Sequence, residues 1–146
     1  MVQQNQTYRV ARKVAAQTMT PSSTTQQNVT SLAVALKASK TYKFKGSILC
    51  IGKANADIDI GLAALSSAVA TWGLDSVTPK VSAIGDEINT ALTDDVLSVI
   101  VVEGVITVST TAGDLQLTAA QAVSQANDLI IKIGSMLEVW EVSDTV

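Results

Sequence analysis

VLSVIVVEGVITVS, residues 96–109, is the stretch whose reading decides the fold. Side chains alternate across a strand, so Ser98, Ile100, Val102, Ile106 and Val108 point one way while Leu97, Val99, Val101, Val105 and Thr107 point the other. Both sets are apolar. A parallel α/β protein would cover the second face with helices, but no series of helical patterns separates the apolar runs of this chain. The expected architecture is all-β, an antiparallel β-sandwich with an opposing sheet over one face of this strand. A second copy of the chain would cover the other face, which makes Val99, Val101 and Val105 the expected subunit interface.

On the C-terminal side, the turn Thr111-Ala112-Gly113-Asp114 leads into a strand at DLQLT, and AQAVSQAND reads as a polar loop. LIIKI and MLEVWEV, joined through Gly134-Ser135, read as a closing hairpin. On the N-terminal side, SLAVAL (31–36) alternates with period two, KASK is a turn, and TYKFKGSILCIGK sets Tyr42, Phe44, Ile48 and Cys50 against Lys43, Lys45 and Ser47. Residues 57–74 fit either a helix through their Ala-rich centre or two short strands about Ser66-Ser67, and the neighbouring strands favour the second. In residues 77–95, Ile84, Ile88, Ala91 and Leu92 recur at helical spacing, which predicts a short helix before the turn at Asp94-Asp95, with an irregular loop as the competing reading.

Residues 1–25 are rich in Gln, Thr and Ser, carry basic but no acidic residues, and form an expected extended arm with one strand near 10–18; residues 26–146 form the sandwich domain. Arg9, Arg12 and Lys13 are its candidates for contact with another surface, set against the reading of a disordered terminus.

At 146 residues the chain is one domain by size. Apolar residues make up 47% and charged ones 16%, which leaves little polar material to cover an isolated monomer. The charge is also segregated: residues 1–53 hold eight cations and no acid, whereas residues 54–146 hold thirteen acids against Lys80 and Lys132. Such asymmetry invites contact between the two parts, or docking of the basic part on an acidic partner. Aromatic residues are 3% of the chain, too few to build a stacking platform for bases, so no nucleic-acid partner is expected. No window approaches the ~18 apolar residues of a membrane span, and MVQQNQTYR lacks the apolar run of a signal peptide, so synthesis in the cytoplasm and no membrane association are expected.

The chain has no histidine, which removes the usual general base and the commonest zinc ligand, and no Ser/His/Asp or Cys/His site can be built. Cys50 lies in the apolar run ILCI and reads as a small buried hydrophobe. The acidic pairs Asp57/Asp59, Asp86/Glu87 and Asp94/Asp95 lack the extra oxygen ligands of a calcium loop and the aromatic subsites of a glycosidase, and read as solvated loop charges. The scattered glycines form no phosphate loop. The expectation is no enzyme, no cofactor and no metal.

Two stretches resemble small β-sandwich proteins that tailed bacteriophages carry on their virions as head decoration (cement) proteins, head-fibre knobs or tail-associated modules. SSTTQQNVTSLAVALKASKTYKFKGSILCIGKANADIDIGL is similar to the family's opening: a Thr/Ser-rich lead-in, an apolar strand, a turn and a Tyr-x-Phe strand. VVEGVITVSTTAGDLQLTAAQAVSQANDLIIKIGSMLEVWEV is similar to its ending, from a Thr-Ala-Gly turn through a Leu-x-Leu strand to a Gly-Ser-x-Leu hairpin. The chain departs from the pattern around 75–95 and in the Ala-rich stretch 115–127. The resemblance implies a jelly-roll-like sandwich assembled as a homotrimer, a cement protein that binds the major capsid protein on the capsid exterior of the virion. Its rival is a tail-fibre or receptor-binding module that touches its target through loops 75–95 and 119–128.

Overall fold

The computed structural model describes residues 7–63, 68–75 and 83–142. Its strands are β1 (Tyr8–Arg12), β2 (Gln17–Thr18), β3 (Gln27–Leu36), β4 (Thr41–Ile51), β5 (Ile58–Ala63), β6 (Val69–Leu74), β7 (Glu87–Thr90), β8 (Ser98–Thr107), β9 (Gly113–Ala120), β10 (Ile130–Ile131) and β11 (Met136–Val142). Among the described residues there is no helix. The larger antiparallel sheet runs β1-β11-β4-β8-β6, and the smaller runs β3-β9-β5-β7. With β6 set aside as an added edge strand, β1, β11, β4 and β8 face β3, β9, β5 and β7, and the chain crosses between sheets in the winding order of a jelly roll. The all-β sandwich expected from residues 96–109 is the observed fold.

The alternation that pointed to it holds along β8. Ile100, Val102, Ile106 and Val108 are buried between the sheets, while Val99 and Val105 lie exposed on the other side. They join a core built on Trp72, Tyr42, Phe44, Leu32, Ile48, Ile58, Ile60, Leu115 and Leu117. Large aromatics bury cheaply only when their polar tips find partners. Both do: Trp72 Nε1 donates to the Ala83 carbonyl at 2.7 Å, and the Tyr42 hydroxyl accepts from Lys37 N at 2.9 Å. Cys50 is fully buried as expected, and burial pushes its thiol up to about 11.

Residues 57–74 form the two strands β5 and β6; the turn expected at Ser66-Ser67 lies outside the described residues. The short helix expected from Ile84, Ile88, Ala91 and Leu92 is corrected: Glu87–Thr90 is strand β7, with Ile58 opposite Thr90 and Gly61 opposite Glu87. A helix this short closes too few hydrogen bonds to offset its nucleation, whereas the free edge of β5 offers a ladder at once.

The expected closing hairpin is corrected as well. β10 and β11 do not pair with each other but follow one another along the same edge of β4, with Ile131 opposite Cys50 and Met136 opposite Ser47. Lys132–Ser135 therefore bulge out of a single interrupted strand, with Gly134 at φ +94. Ser135 fastens the bulge, its hydroxyl accepting from Leu49 N at 2.9 Å and donating to the Lys132 carbonyl.

The arm is extended, and it is laid on the molecule's own sheet. β1 pairs with β11 from Tyr8 opposite Trp140 to Arg12 opposite Met136, and β2 pairs with β10. Residues 13–16 bulge beside 132–135, tied by Lys13 N to Ser135 O at 2.8 Å and Gly134 N to Lys13 O at 3.2 Å. Met19, at 1% exposure, plugs the strap into the core.

Candidate functional site: the outer face of the larger sheet

Register assembles this face in rows. One row crosses the sheet as Tyr8, Trp140, Lys43, Val105 and Thr71; the next as Val10, Glu138, Lys45, Glu103 and Gly73. A third brings together Arg12, Met136, Ser47 and Val101, and beyond it Leu49 stands opposite Val99. Carboxylates thus flank Lys45 on both neighbouring strands, so the charged row is balanced within the sheet and the rows on either side are free to be apolar. Val99 is 61% exposed, Leu97 52%, Val105 41% and Val101 half-buried. The structure gathers the three valines of the expected interface on one surface.

At the β11 side the Tyr8 and Trp140 rings lie 5.6 Å apart, tilted by 41°, and the Tyr8 hydroxyl donates to Glu138 Oε1 at 2.7 Å. That hydrogen bond, more than any other influence, holds the Tyr8 phenol above its ordinary value. Between Trp140 and Val105 the sheet leaves a shallow open depression of about 440 Å³, edged by Lys43, Lys45 and Glu103. Sequence periodicity could place Trp140 and Val105 on outward faces, but the strand order that makes them neighbours was not legible from it.

The three cations assigned to the arm part company. Arg12 is exposed on this face, opposite Met136. Arg9 turns to the other sheet, where its guanidinium donates to the Ala35 carbonyl. Lys13 is not placed to reach another surface: it is 2% exposed, and its ammonium donates to Gln17 Oε1 at 3.0 Å, Thr30 O at 3.2 Å and Thr30 Oγ1 at 2.8 Å. Burial lowers the pKa of this ammonium. The two Thr30 acceptors come from a bulge in β3, where four residues between Asn28 and Ala33 stand against Leu117 and Ser31 adopts φ 69. Gln116 steadies that bulge through Nε2, which donates to the Val29 and Leu32 carbonyls. Nothing in the sequence marks Lys13 as an inward residue, because its burial depends on this bulge in another strand.

Four carboxylates outside this face serve the loops. Asp57, at φ 51, accepts from Leu92 N at 3.0 Å, Asp86 from Ala83 N at 2.6 Å and Asp94 from Ala54 N at 2.8 Å. Asp95 meets Lys53 at 2.5 Å. Because Asp57 precedes β5 in a left-handed conformation, the strand alternation that would align it with Asp59 does not reach it. Among the described residues no group of three or more His, Cys, Asp or Glu is arranged to hold a metal. At the opposite end of the sandwich, Lys40 pairs with Glu141 at 3.1 Å, and this hydrogen bond holds the Glu141 carboxyl below its ordinary value.

No family model matches this sequence, and no curated protein matches it. Solved structures give a slight likeness, one of them a chain in the structure of infectious bursal disease virus, Gx strain, at 8% identity and a TM-score of 0.32. The match covers 94% of this chain and 40% of that one. A likeness this slight assigns neither fold nor role.

Proposed function

We propose that this protein is a non-catalytic structural component of a virion, a capsid decoration protein that binds the major capsid protein as a homotrimer and stabilises the shell. The observation that carries the reading is the outer face of the larger sheet, where Val99, Leu97 and Val105 lie exposed beside Val101 and Met136 with their charged neighbours arranged to compensate one another. Strand spacing and rise give that face about 24 Å by about 24 Å in flat projection. The product, about 580 Å², is most of the ~800 Å² per partner that a stable protein interface buries. Copies meeting there would cover the valines and leave the sandwich ends free. A trimer that binds the assembled shell and not dissociated subunits stabilises the shell by mass action, without any reaction.

Two measurements test this. Light-scattering mass of the purified protein is expected at three times the chain mass, and Val99→Asp with Val105→Asp is expected to reduce it to the chain mass while the far-ultraviolet spectrum is retained. Co-sedimentation with expanded empty heads is expected to saturate, and to protect the heads against heat. A wild-type protein that stays monomeric at high concentration, or that leaves the heads bare, overturns the proposal.

A further inference from the structure

We infer that the N-terminal strap, Thr7–Thr18, is an exchangeable strand that docks on β11 and β10 of a second copy of this chain, in the register it occupies here on its own. The inference rests on the assembly reading above, since exchange needs a neighbour.

The strap is the outermost strand of its sheet and is held mainly by backbone. Within β1 no residue is buried: Tyr8, Val10 and Arg12 are exposed, and Arg9 and Ala11 are half-buried. A strand with so little buried apolar area has a low free energy of local opening. Its side-chain attachments go to groups of the rest of the chain: Tyr8 on Glu138, Arg9 on Ala35, Lys13 and Gln17 on Thr30, with Met19 buried just beyond it. Lys13 binds Thr30 in β3 as well as Gln17, and Met19 N donates to Leu129 O at 2.8 Å. Any copy of the chain presents the same groups. Tyr8 and Val10 lie on the outer face of the larger sheet and Val14 in the bulge, at 48%, 38% and 78% exposure, so the strap adds apolar surface to the face where copies are proposed to meet.

Charge fits the same partner. The strap carries Arg9, Arg12 and Lys13 and no acid, while residues 130–142, along which it lies, carry Glu138 and Glu141 against Lys132. The basic strap thus lies beside the two carboxylates of β11, an attraction that any copy offers equally, while the hydrogen bonds of Arg9 and Lys13 go to Ala35, Thr30 and Gln17. Between β2 and β3, residues 19–26 include Pro21 and form no strand, with Ser22 at φ 56. Fully extended, that connector spans about 26 Å. Passing a strand from each subunit to the next closes a ring with no new side-chain chemistry, which is the usual logic of strand exchange.

The test uses the register pair Val10 and Glu138. Opposed residues on antiparallel strands sit at Cα separations that a disulfide can bridge. Full-length single variants Val10→Cys and Glu138→Cys are mixed unfolded, refolded together and oxidised; the double variant is oxidised separately. Exchange predicts a covalent Val10→Cys/Glu138→Cys heterodimer from the mixture, and covalent chains of three from the double variant on a non-reducing gel. Cys50, being buried, does not compete. If the double variant runs only as a cross-linked single chain while light scattering still shows an oligomer, exchange is overturned and the assembly reading stands. If the mass is that of one chain, the assembly reading fails with it.

Discussion

The contact between β6 and β8 gives the sharpest test of the fold. Gly104 sits where β6 crosses closest: a Cβ added there would lie 2.5 Å from the Thr71 carbonyl oxygen, 2.7 Å from Trp72 Cβ and 2.8 Å from Trp72 Cα. These are parts of the neighbouring backbone or fixed to it, so no side chain can swing away and β6 itself must move. Gly104→Ala is therefore expected to cost at least the ~1–3 kcal/mol of an overpacked core. If β6 leaves the sheet and takes the fully buried Trp72 with it, the cost approaches the ~3–5 kcal/mol of losing a core aromatic. For a chain of this length the unfolding entropy near the midpoint is about 0.3 kcal/mol per degree. The loss should lower the melting temperature by about 3–10 °C, and by about 10–17 °C if β6 leaves the sheet. Two other glycines separate the causes. Gly85 has φ +90 with nothing within 4 Å, so Gly85→Ala carries only the left-handed backbone cost of about 1 kcal/mol, or about 3 °C. At Gly46 the nearest atom is the flexible Leu117 Cδ1 at 3.0 Å, so Gly46→Ala should fall below Gly104→Ala. Thermal melts of the three, followed by Trp fluorescence, give the ranking. If Gly104→Ala melts within 2–3 °C or so of wild type, β6 is not seated on β8 in this register.

Alkaline pH should act on two buried groups with opposite signs. Cys50 titrates at about 11 when folded against 9.0 when free, so its contribution is intact below pH 9 and is lost as pH rises through 11. That amounts to about 3 kcal/mol in full, and urea midpoints of Cys50→Ala between pH 8 and 11 should lack the decline. Lys13 runs the other way: its folded pKa lies below 10.5, so the unfolded chain holds the proton longer and stability rises with pH between the two values. Lys13→Met should remove that rise, and an unchanged slope would show that the ammonium is solvated. Arg12→Glu puts a carboxylate on the face where copies are proposed to meet and should lower the light-scattering mass, whereas Arg9→Ala should cost no more than about 1.5–3 kcal/mol of stability, the net worth of the hydrogen bond from its guanidinium to Ala35 O.

What the sequence disclosed depended on how local each determinant is. The two-sided character of residues 96–109 follows from a period of two and survives in any sheet, so the burial of Ile100, Val102, Ile106 and Val108 and the exposure of Val99 and Val105 could be read directly. Strand order is not local. LIIKI and MLEVWEV look like a hairpin because Gly134 provides a turn, yet β4 is long enough to pair with both, and its edge holds them end to end. Ile84, Ile88 and Leu92 have helical spacing, but the free edge of β5 claims Glu87–Thr90 first. Lys13 looked like a surface cation because the bulge that receives it lies in β3, seventeen residues from it at Thr30.

The charge asymmetry of the sequence has a physical consequence once the register is known. A basic first third and an acidic remainder could have made two oppositely charged ends; instead the strap brings Arg9, Arg12 and Lys13 alongside the strand that carries Glu138 and Glu141. Two of those three cations are then spent inside the molecule, on Ala35 and on Thr30 with Gln17. A strap that served only to grip a foreign acidic surface would keep its cations exposed. One that must recognise its own chain, and let go of it, would place one charge in a socket, leave another at the rim and bury almost no apolar area. The strap has the second arrangement. Shortening the connector tests this directly: deleting Ser23–Thr25 leaves both strands intact but removes about 10 Å of reach, so the oligomer should lose its exchanged cross-links before it loses its fold.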